Sequence, residues 1–356
     1  MNDPSLEALG WDDWFALQAS PRCDPAVSVA RVAAVDRDQL LLLNETGAFR
    51  ARLAGRFQYE KVSASDLPCV GDWVWVEKSP ADQFGLLHGV LPRKTSMRRR
   101  AVGESLEVQM IAANVDVVIV VQSCHYDFNL RRLERYLVMA RDGGAVPCVL
   151  LTKTDLVEPA VVATQVAQTR DATPDVLVLT LSNVTREGMT ELQGVLERRK
   201  TYCFVGSSGV GKSTLINGLV GREVLETKVV SGTGEGRHTT VRRELLVLPN
   251  GAMVIDNPGM REFGVLGAGG GIEASYSEIL THAVHCRFRD CTHTSEPGCA
   301  VLQGLETGEL DADHYESFLK LRKESEYYDL SYAEKRKKDK EFGRFIKSAK
   351  KDLEEG

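Results

Sequence analysis

The stretch that decides the fold reads Gly206-Ser207-Ser208-Gly209-Val210-Gly211-Lys212-Ser213. Its spacing matches a phosphate-binding loop, in which glycines let backbone N–H groups turn inward around phosphate oxygens. In such loops the lysine reaches the β and γ phosphates, and the serine hydroxyl ligates Mg²⁺. An apolar strand at residues 203–205 leads into the loop. A helical pattern follows from about Lys212 through Thr214 to position 219, and the N-terminus of such a helix favours anions. The sequence therefore predicts a nucleotide site built on a strand, a loop and a helix.

The sequence on both sides of this loop alternates between buried strands and amphipathic helices. Apolar runs that predict strands lie at residues 115–121, 147–151, 176–180 and 201–205. Helical spacing separates them at residues 129–141, 158–168 and 186–198. This βαβ series predicts an α/β core, with a parallel sheet covered by helices on both faces.

A candidate for recognition of guanine precedes the phosphate-binding loop. Thr152, Lys153 and Asp155 form a Thr-Lys-x-Asp motif at the carboxyl end of a predicted strand. Asp155 could accept hydrogen bonds from guanine N1–H and the N2 amino group, with Lys153 packed over the base, and Ser182-Asn183 would supply the last base contact. Ras-like GTPases carry these elements after the loop, so their order here is circularly permuted. Thr152 stands where Asn is usual, which removes a side-chain amide that braces the site.

Two segments after the loop are candidates for the nucleotide switches. Asp256 ends a strand-like run, suits the second Mg²⁺ position, and is followed by Gly259, whose amide can contact the γ phosphate. Between loop and strand, Gly236-Arg237-His238-Thr239-Thr240 reads as a mobile switch in which Thr240, in preference to Thr239, completes the Mg²⁺ ligands. Mg²⁺ would then be held by Ser213, Thr240 and Asp256. Met260 cannot orient water, so slow intrinsic hydrolysis is expected, with His238 as the nearest candidate to assist.

Three of the eight cysteines group with a histidine near residue 290. Cys286-x₄-Cys291-x-His293-x₅-Cys299 places four soft or borderline ligands within 14 residues, as in a closed structural Zn²⁺ site. The alternative is a set of buried thiols without metal, like the five scattered cysteines elsewhere. His282 and His285 are expected at the surface or behind the ligands.

The N-terminal third has the pattern of a small β-barrel. Five short β-like runs, at residues 27–35, 40–43, 49–53, 72–77 and 86–91, are separated by turn residues. They fit an OB-type barrel, which often binds nucleic acid, or equally a barrel used only for packing. We predict a multidomain chain with an OB-fold domain and N-terminal extension at 1–100 and a circularly permuted GTPase domain at 101–266. A mostly helical zinc-binding domain with a basic C-terminal helix would occupy 267–356, after a flexible glycine-rich joint at 267–271.

The composition and the distribution of charge limit the partners and the location that we expect for the protein. The 356 residues carry a net charge of −6, which argues against attraction of the whole chain to nucleic acid. Local attraction remains open, because residues 335–351 hold nine Lys or Arg against two acids and a second basic cluster spans 93–100. Without a signal peptide pattern or a long apolar run, we expect a cytoplasmic protein that does not enter membranes. We also expect a monomer.

Taken in one order, these motifs resemble the RsgA (YjeQ) family of circularly permuted GTPases in small ribosomal subunit biogenesis. The resemblance covers nearly the whole chain and implies an OB domain, a permuted GTPase core and a zinc domain. It further implies GTP/GDP and Mg²⁺ as ligands, one structural Zn²⁺, and His238 as the catalytic histidine. The implied partner is the 30S ribosomal subunit and its rRNA, on which GTP hydrolysis would be stimulated during late maturation. The basic clusters then become candidate phosphate contacts.

Two other functions fit parts of the pattern. An RNA-binding scaffold could use the nucleotide site only to gate binding, with negligible turnover. The chain could also be a P-loop ATPase or kinase. In that case Asp155 would not recognise guanine, and ATP would bind as readily as GTP.

Overall fold

The computed structural model describes residues 5–19, 27–36, 39–60, 63–78, 84–100, 108–223, 243–256 and 269–329. Several predicted functional residues lie outside the described ranges: His238, Thr239, Thr240, Gly259 and the basic segment 335–351. Predictions about them stay predictions.

The N-terminal third forms a closed five-stranded barrel, which confirms the OB-type prediction. Its strands are β1 (Val27–Val35), β2 (Leu40–Asn44), β3 (Gly47–Leu53), β4 (Trp73–Lys78) and β5 (Phe84–Val90). The order β1-β2-β3-β5-β4 closes because β4 pairs again with β1, and β3 and β5 are parallel. Helix α1 (Asp13–Ala19) precedes the barrel. A second short helix, α2 (Gly55–Glu60), follows β3.

Side chains along the barrel strands alternate between the interior and the outside, and the interior is filled with aliphatic side chains. Val32, Leu42, Val74 and Leu87 are fully buried there. On the outside, the 3₁₀ helix Leu6–Leu9 and α1 pack an aromatic cluster that includes Trp11, Phe15 and Trp73. The N-terminal extension therefore covers one wall of the barrel.

The central region is an α/β core. Its elements are β6 (Ser96–Arg100), β7 (Val108–Ala113), β8 (Val117–Ser123), α3 (Leu130–Asp142), β9 (Val146–Thr152), α4 (Pro159–Ala172), β10 (Leu177–Leu181), α5 (Met189–Val195), β11 (Thr201–Val205), α6 (Lys212–Val220), β12 (Glu244–Val247) and β13 (Met253–Asp256). The sheet runs β10-β9-β8-β11-β13-β12, and the first five strands are parallel, as predicted. The last strand of the core, β12, is antiparallel, because a tight turn around Asn250-Gly251 folds it directly onto β13.

The barrel and the core share one sheet. β12 pairs with β1 at Glu244 and Ala34, so eleven strands are continuous. Arg31, 1% exposed, lies at this junction, and its guanidinium donates to the Asn114 carbonyl at 3.1 Å and the Thr201 hydroxyl at 2.8 Å. Burial lowers the pKa of Arg31 to about 10. The junction is thus a buried polar contact that joins both regions.

The C-terminal region is helical, with α7 (Gly269–Ser275), α8 (Ser277–Ala283), α9 (Ala300–Thr307) and α10 (Ala312–Asp329). The expectation of a flexible joint at 267–271 is wrong for its last residues, which form the first turn of α7. Gly271 packs directly on α3, where an added Cβ would stand 2.4 Å from the Val138 carbonyl oxygen. Within the described ranges, no helix is long and apolar enough to cross a membrane.

Candidate functional site

The phosphate-binding loop connects the end of β11 to the start of α6, as the motif requires. Gly206 has a φ of +143°, and an added Cβ would lie 2.2 Å from the Val121 carbonyl oxygen on the adjacent strand. Only glycine fits this position, because any side chain would collide with β8. The loop therefore turns sharply at the carboxyl edge of the sheet, and its remaining residues lead into the N-terminus of α6.

Lys212 points back into this loop. It is 6% exposed, and its ammonium donates to the carbonyl oxygens of Gly206 at 2.8 Å and Ser207 at 2.6 Å. Burial lowers the pKa of Lys212 to about 8, against the opposing attraction of Asp256 and Asp127. A phosphate group beside this amine would favour its charged form.

Asp256 ends β13 next to the strand that leads into the loop. Its partner in register is Phe204 of β11, and the side chain is 2% exposed. Burial raises its pKa to about 6, although Lys212 pulls in the opposite direction. Its Oδ1 has no hydrogen-bond partner among the described residues. A buried carboxylate oxygen without a donor, in a side chain whose charge interacts with Lys212 at the start of α6, fits a cation site with oxygen ligands.

The candidate base-reading residues converge on the same edge of the sheet. Asp155 follows β9 and is exposed, and its Oδ1 accepts a hydrogen bond from the Ser182 hydroxyl at 2.6 Å. Asn183, which follows β10, donates to the Gly211 carbonyl at 3.3 Å. Lys153 has a left-handed backbone, with φ of +59°. The loops after β9 and β10 and the phosphate-binding loop are thus hydrogen-bonded to one another.

Thr152 braces the site despite lacking the usual amide. It is 0% exposed, and its hydroxyl lies 2.7 Å from the Val210 carbonyl oxygen and 3.1 Å from that of Gln122. The side-chain amide is absent, as the sequence predicts, and the hydroxyl makes these two contacts. A threonine hydroxyl makes the link between the candidate base-reading loop and the phosphate-binding loop.

Sequence reasoning missed Asp127, in the loop after β8. Its carboxylate forms a 2.7 Å ion pair with Arg132, and burial raises its pKa, while the nearby charges of Arg132 and Lys212 oppose that rise. Topology offered a signal, because β8 adjoins β11 and parallel neighbours end at the same edge.

The four predicted zinc ligands lie together, apart from the nucleotide site. Their donor atoms all lie within 4.8 Å of one another. His293 Nδ1 is 3.5 Å from both Cys286 Sγ and Cys299 Sγ, which are 3.8 Å apart. A tetrahedral Zn²⁺ with ordinary bond lengths places its sulfur ligands about 3.8 Å apart and sulfur and nitrogen about 3.5 Å apart. The four residues fit the ion in both chemistry and spacing.

The surrounding helices hold these ligands in place. Cys299 caps α9, where its sulfur accepts from the Leu302 amide at 3.5 Å. The Tyr315 hydroxyl of α10 donates to the His293 carbonyl. His282, with its ring bonded to Glu278 and Glu309, is outside the cluster, as expected.

The basic cluster at 93–100 divides into two parts. Arg93 is bound internally, since its guanidinium donates to Asp72 at 2.7 and 2.8 Å and to the carbonyls of Ser65 and Leu67. Lys94 pairs with Asp12. Arg93 is therefore held inside the protein, whereas Lys94, like Arg98, has an ion pair at the surface, and phosphate contacts by this cluster stay a prediction. The side chains of Arg98 and Arg99 on β6 remain at the surface.

Comparison with known proteins gives one consistent result. The RsgA GTPase family model matches residues 90–266. A small ribosomal subunit biogenesis GTPase RsgA of Opitutus terrae is 42% identical over 333 residues, covering 91% of this chain and 90% of that protein. The protein named RsgA 2 of Vibrio vulnificus is 36% identical and covers 98% of this chain and 96% of its own length.

Solved structures share the fold. YjeQ from Thermotoga maritima superposes with a TM-score of 0.60 at 25% identity, covering 83% of this chain and 97% of that one. YloQ, described as a circularly permuted GTPase, gives a TM-score of 0.60 at 22% identity over 87% of this chain and 100% of its own. Motif order and three-dimensional likeness thus agree.

Proposed function

The chain belongs to the RsgA GTPase family, and from that premise we propose that it binds the small (30S) ribosomal subunit and assists its late maturation in the cytoplasm. As a GTPase it hydrolyses GTP to GDP and phosphate, and we propose that the ribosome stimulates this reaction. The observation that carries the proposal is the hydrogen-bonded convergence of three loops at one edge of the sheet. It joins a phosphate-binding loop to a candidate guanine reader in permuted order.

We assign the nucleotide contacts as follows. Asp155, held by Ser182, accepts hydrogen bonds from the guanine base, and Lys153 covers the ring face. Backbone amides of the phosphate-binding loop surround the β phosphate, and the Lys212 ammonium exchanges its loop carbonyls for phosphate oxygens. An ion pair to phosphate is stronger than a hydrogen bond to a neutral carbonyl, which favours this exchange.

Hydrolysis requires water in line with the γ phosphate and compensation of the charge that develops there. Ser213, Asp256 and Thr240 would hold Mg²⁺, which when bound neutralises charge on the β and γ oxygens. We propose that His238 orients the attacking water, because Met260 has no polar group with which to do so. Both His238 and Thr240 belong to the segment outside the described residues.

The remaining regions serve binding in this proposal. One Zn²⁺ held by Cys286, Cys291, His293 and Cys299 would stabilise the C-terminal region. The barrel, the exposed Arg98, the half-buried Arg99, and the basic residues 335–351 are candidate contacts to rRNA phosphates. We propose functional units at 1–100, 101–266 and 267–356, in which the first and third contact the ribosome.

Single- and multiple-turnover GTP hydrolysis, measured with and without purified 30S subunits, tests the proposal. We expect slow turnover alone and a rise of at least tenfold with 30S subunits. Lys212→Ala should lose nucleotide binding, whereas His238→Ala should bind GDP normally and lose the stimulation. Turnover unaffected by 30S subunits would contradict the ribosomal role. ATP displacing bound GDP as readily as GTP does would contradict the assignment of Asp155.

A further inference from the structure

The loop that carries three of the four predicted zinc ligands is held by side-chain contacts rather than by regular secondary structure. Residues 291–299 form neither helix nor strand, although they include Cys291, His293 and Cys299. His293 has a φ of +61°, a left-handed conformation that is uncommon for residues other than glycine. A histidine in this conformation keeps its imidazole in one place only if the surrounding contacts fix the backbone.

The Glu296 carboxylate makes these contacts. Its Oε2 accepts from the backbone amides of Thr294 at 3.0 Å and Ser295 at 3.1 Å. Its Oε1 accepts from the Thr292 amide at 2.9 Å and from the Thr292 hydroxyl. Successive backbone amides that point at one anion form a binding concavity, which the chain fills here with its own carboxylate. Because Thr292 and Thr294 flank His293 in the chain, one side chain fixes the backbone on both sides of this ligand.

Glu296 also contacts the next ligand along the chain through its backbone. Its carbonyl accepts from the Cys299 amide at 3.3 Å, at the residue that caps α9. With the loop held in this way, His293 Nδ1 lies 3.5 Å from the sulfurs of both Cys286 and Cys299, a spacing that fits a tetrahedral ion. Glu296 is therefore hydrogen-bonded to the chain on both sides of itself, at the two segments that carry His293 and Cys299.

We propose that Glu296 is a positioning residue for Zn²⁺: its carboxylate holds His293 in the left-handed conformation that presents the imidazole to the ion, and so slows release of the metal. Glu296 is not a ligand itself, because its oxygens accept from the loop and the three cysteines with His293 already make four ligands. Residues that orient a metal ligand typically change the metal affinity about 10- to 100-fold when they are replaced. The inference rests on the proposed Zn²⁺ site and is independent of GTP hydrolysis.

The experiment compares Zn²⁺ release to an excess of a chromophoric chelator from the full-length wild type and from Glu296→Gln. Glutamine has nearly the same shape, but it has one acceptor oxygen, and its NH₂ group would face a backbone amide that also donates. We expect release at least about tenfold faster, and an affinity in chelator competition lower by about the same factor. Glu306→Gln, which removes an exposed carboxyl of α9, is the matched control and should release Zn²⁺ at the wild-type rate.

A second measurement tests whether the effect acts through His293. Glycine adopts a positive φ freely, so His293→Gly removes the imidazole and leaves the backbone conformation accessible. With Co²⁺ in place of Zn²⁺, the visible absorption of Glu296→Gln should shift towards that of His293→Gly. In the His293→Gly background, Glu296→Gln should change the release rate less than about threefold, because the ligand that it positions is gone. If Glu296→Gln binds no metal, Thr292→Val, which removes one of the four donors, takes its place and should give a smaller shift in the same direction.

Three results would overturn the role of Glu296. They are release from Glu296→Gln at the wild-type rate, an unshifted Co²⁺ spectrum, and equal effects with and without the His293 imidazole. A wild type that binds no Zn²⁺ would overturn the proposed metal site together with this inference. The ribosomal function is tested separately, by GTP turnover with and without 30S subunits.

Discussion

Thr152→Val tests whether a threonine hydroxyl replaces the usual asparagine as the brace of the nucleotide site. Valine has nearly the same shape, so the substitution leaves no cavity and removes only the hydroxyl 2.7 Å from the Val210 carbonyl oxygen. Because Thr152 and Val210 are both buried, the Val210 carbonyl would lose its side-chain donor without gaining a hydrogen bond from water. A stranded buried acceptor costs about 1–3 kcal/mol, and we expect the free energy of unfolding to fall by that amount.

The same substitution should weaken GDP binding. The hydroxyl holds the phosphate-binding loop beside the base-reading loop, and without it a smaller fraction of molecules has both loops in the binding arrangement. The apparent Kd rises by the inverse of that fraction, so an increase of about two- to tenfold is expected. Urea unfolding and titration with a fluorescent GDP analogue measure the two effects. Thr152→Ser keeps the hydroxyl and Thr152→Asn restores an amide, so both should bind close to wild type. If Thr152→Val unfolds at the same urea concentration and binds GDP equally well, the bracing role is refuted.

Two further predictions concern the metal cluster and the buried carboxylate. Removing Zn²⁺ with a chelator, or replacing Cys291 by Ser, should reduce the helix content measured by circular dichroism. The reason is that Cys299 caps α9 and the His293 carbonyl accepts a hydrogen bond from Tyr315 of α10. The control Cys148→Ala, in the sheet, should keep one Zn²⁺ per chain. Asp256, whose burial raises its pKa to about 6, stabilises the nucleotide-free fold most below pH 4 and loses this contribution as pH rises through 6. Asp256→Asn should therefore raise the free energy of unfolding at pH 7.5, by at most about 3 kcal/mol, and by less at pH 5. Equal differences in urea unfolding at both pH values would contradict that assignment.

The bounds of several strands and the grouping of the cysteine cluster could be predicted from the sequence, because they depend on residues close together in the chain. β1 and β11 have the predicted bounds, because alternating or continuous apolar runs are bounded there by turn residues. The grouping of the three cysteines and His293 was predicted from their spacing alone, since a short stretch of chain holds all four. Asp256 and the phosphate-binding loop share one edge of the sheet because parallel strands end together.

Features that depend on packing between distant segments could not be predicted in this way. β12 is only four residues long, and its place is set by pairing with β13 and β1. Gly271 belongs to a glycine run that reads as a flexible joint, although close packing on α3 makes it helical. Arg93 reads as a basic surface residue, and only the fold shows the buried Asp72 that binds it. Asp127 carries no motif, and only the pairing of β8 with β11 brings its loop to the edge of the sheet that holds the phosphate-binding loop.

The shared sheet also limits how this protein can evolve. A barrel joined by a flexible linker could be exchanged for another RNA-binding module by recombination at the linker. Here such an exchange would leave β12 with an unpaired edge and Asn114 and Thr201 without the guanidinium of Arg31. A replacement barrel would have to bring both a matching strand and a buried cation. We therefore expect the barrel and the GTPase core to be inherited together, with Arg31 and its acceptors changing as a set.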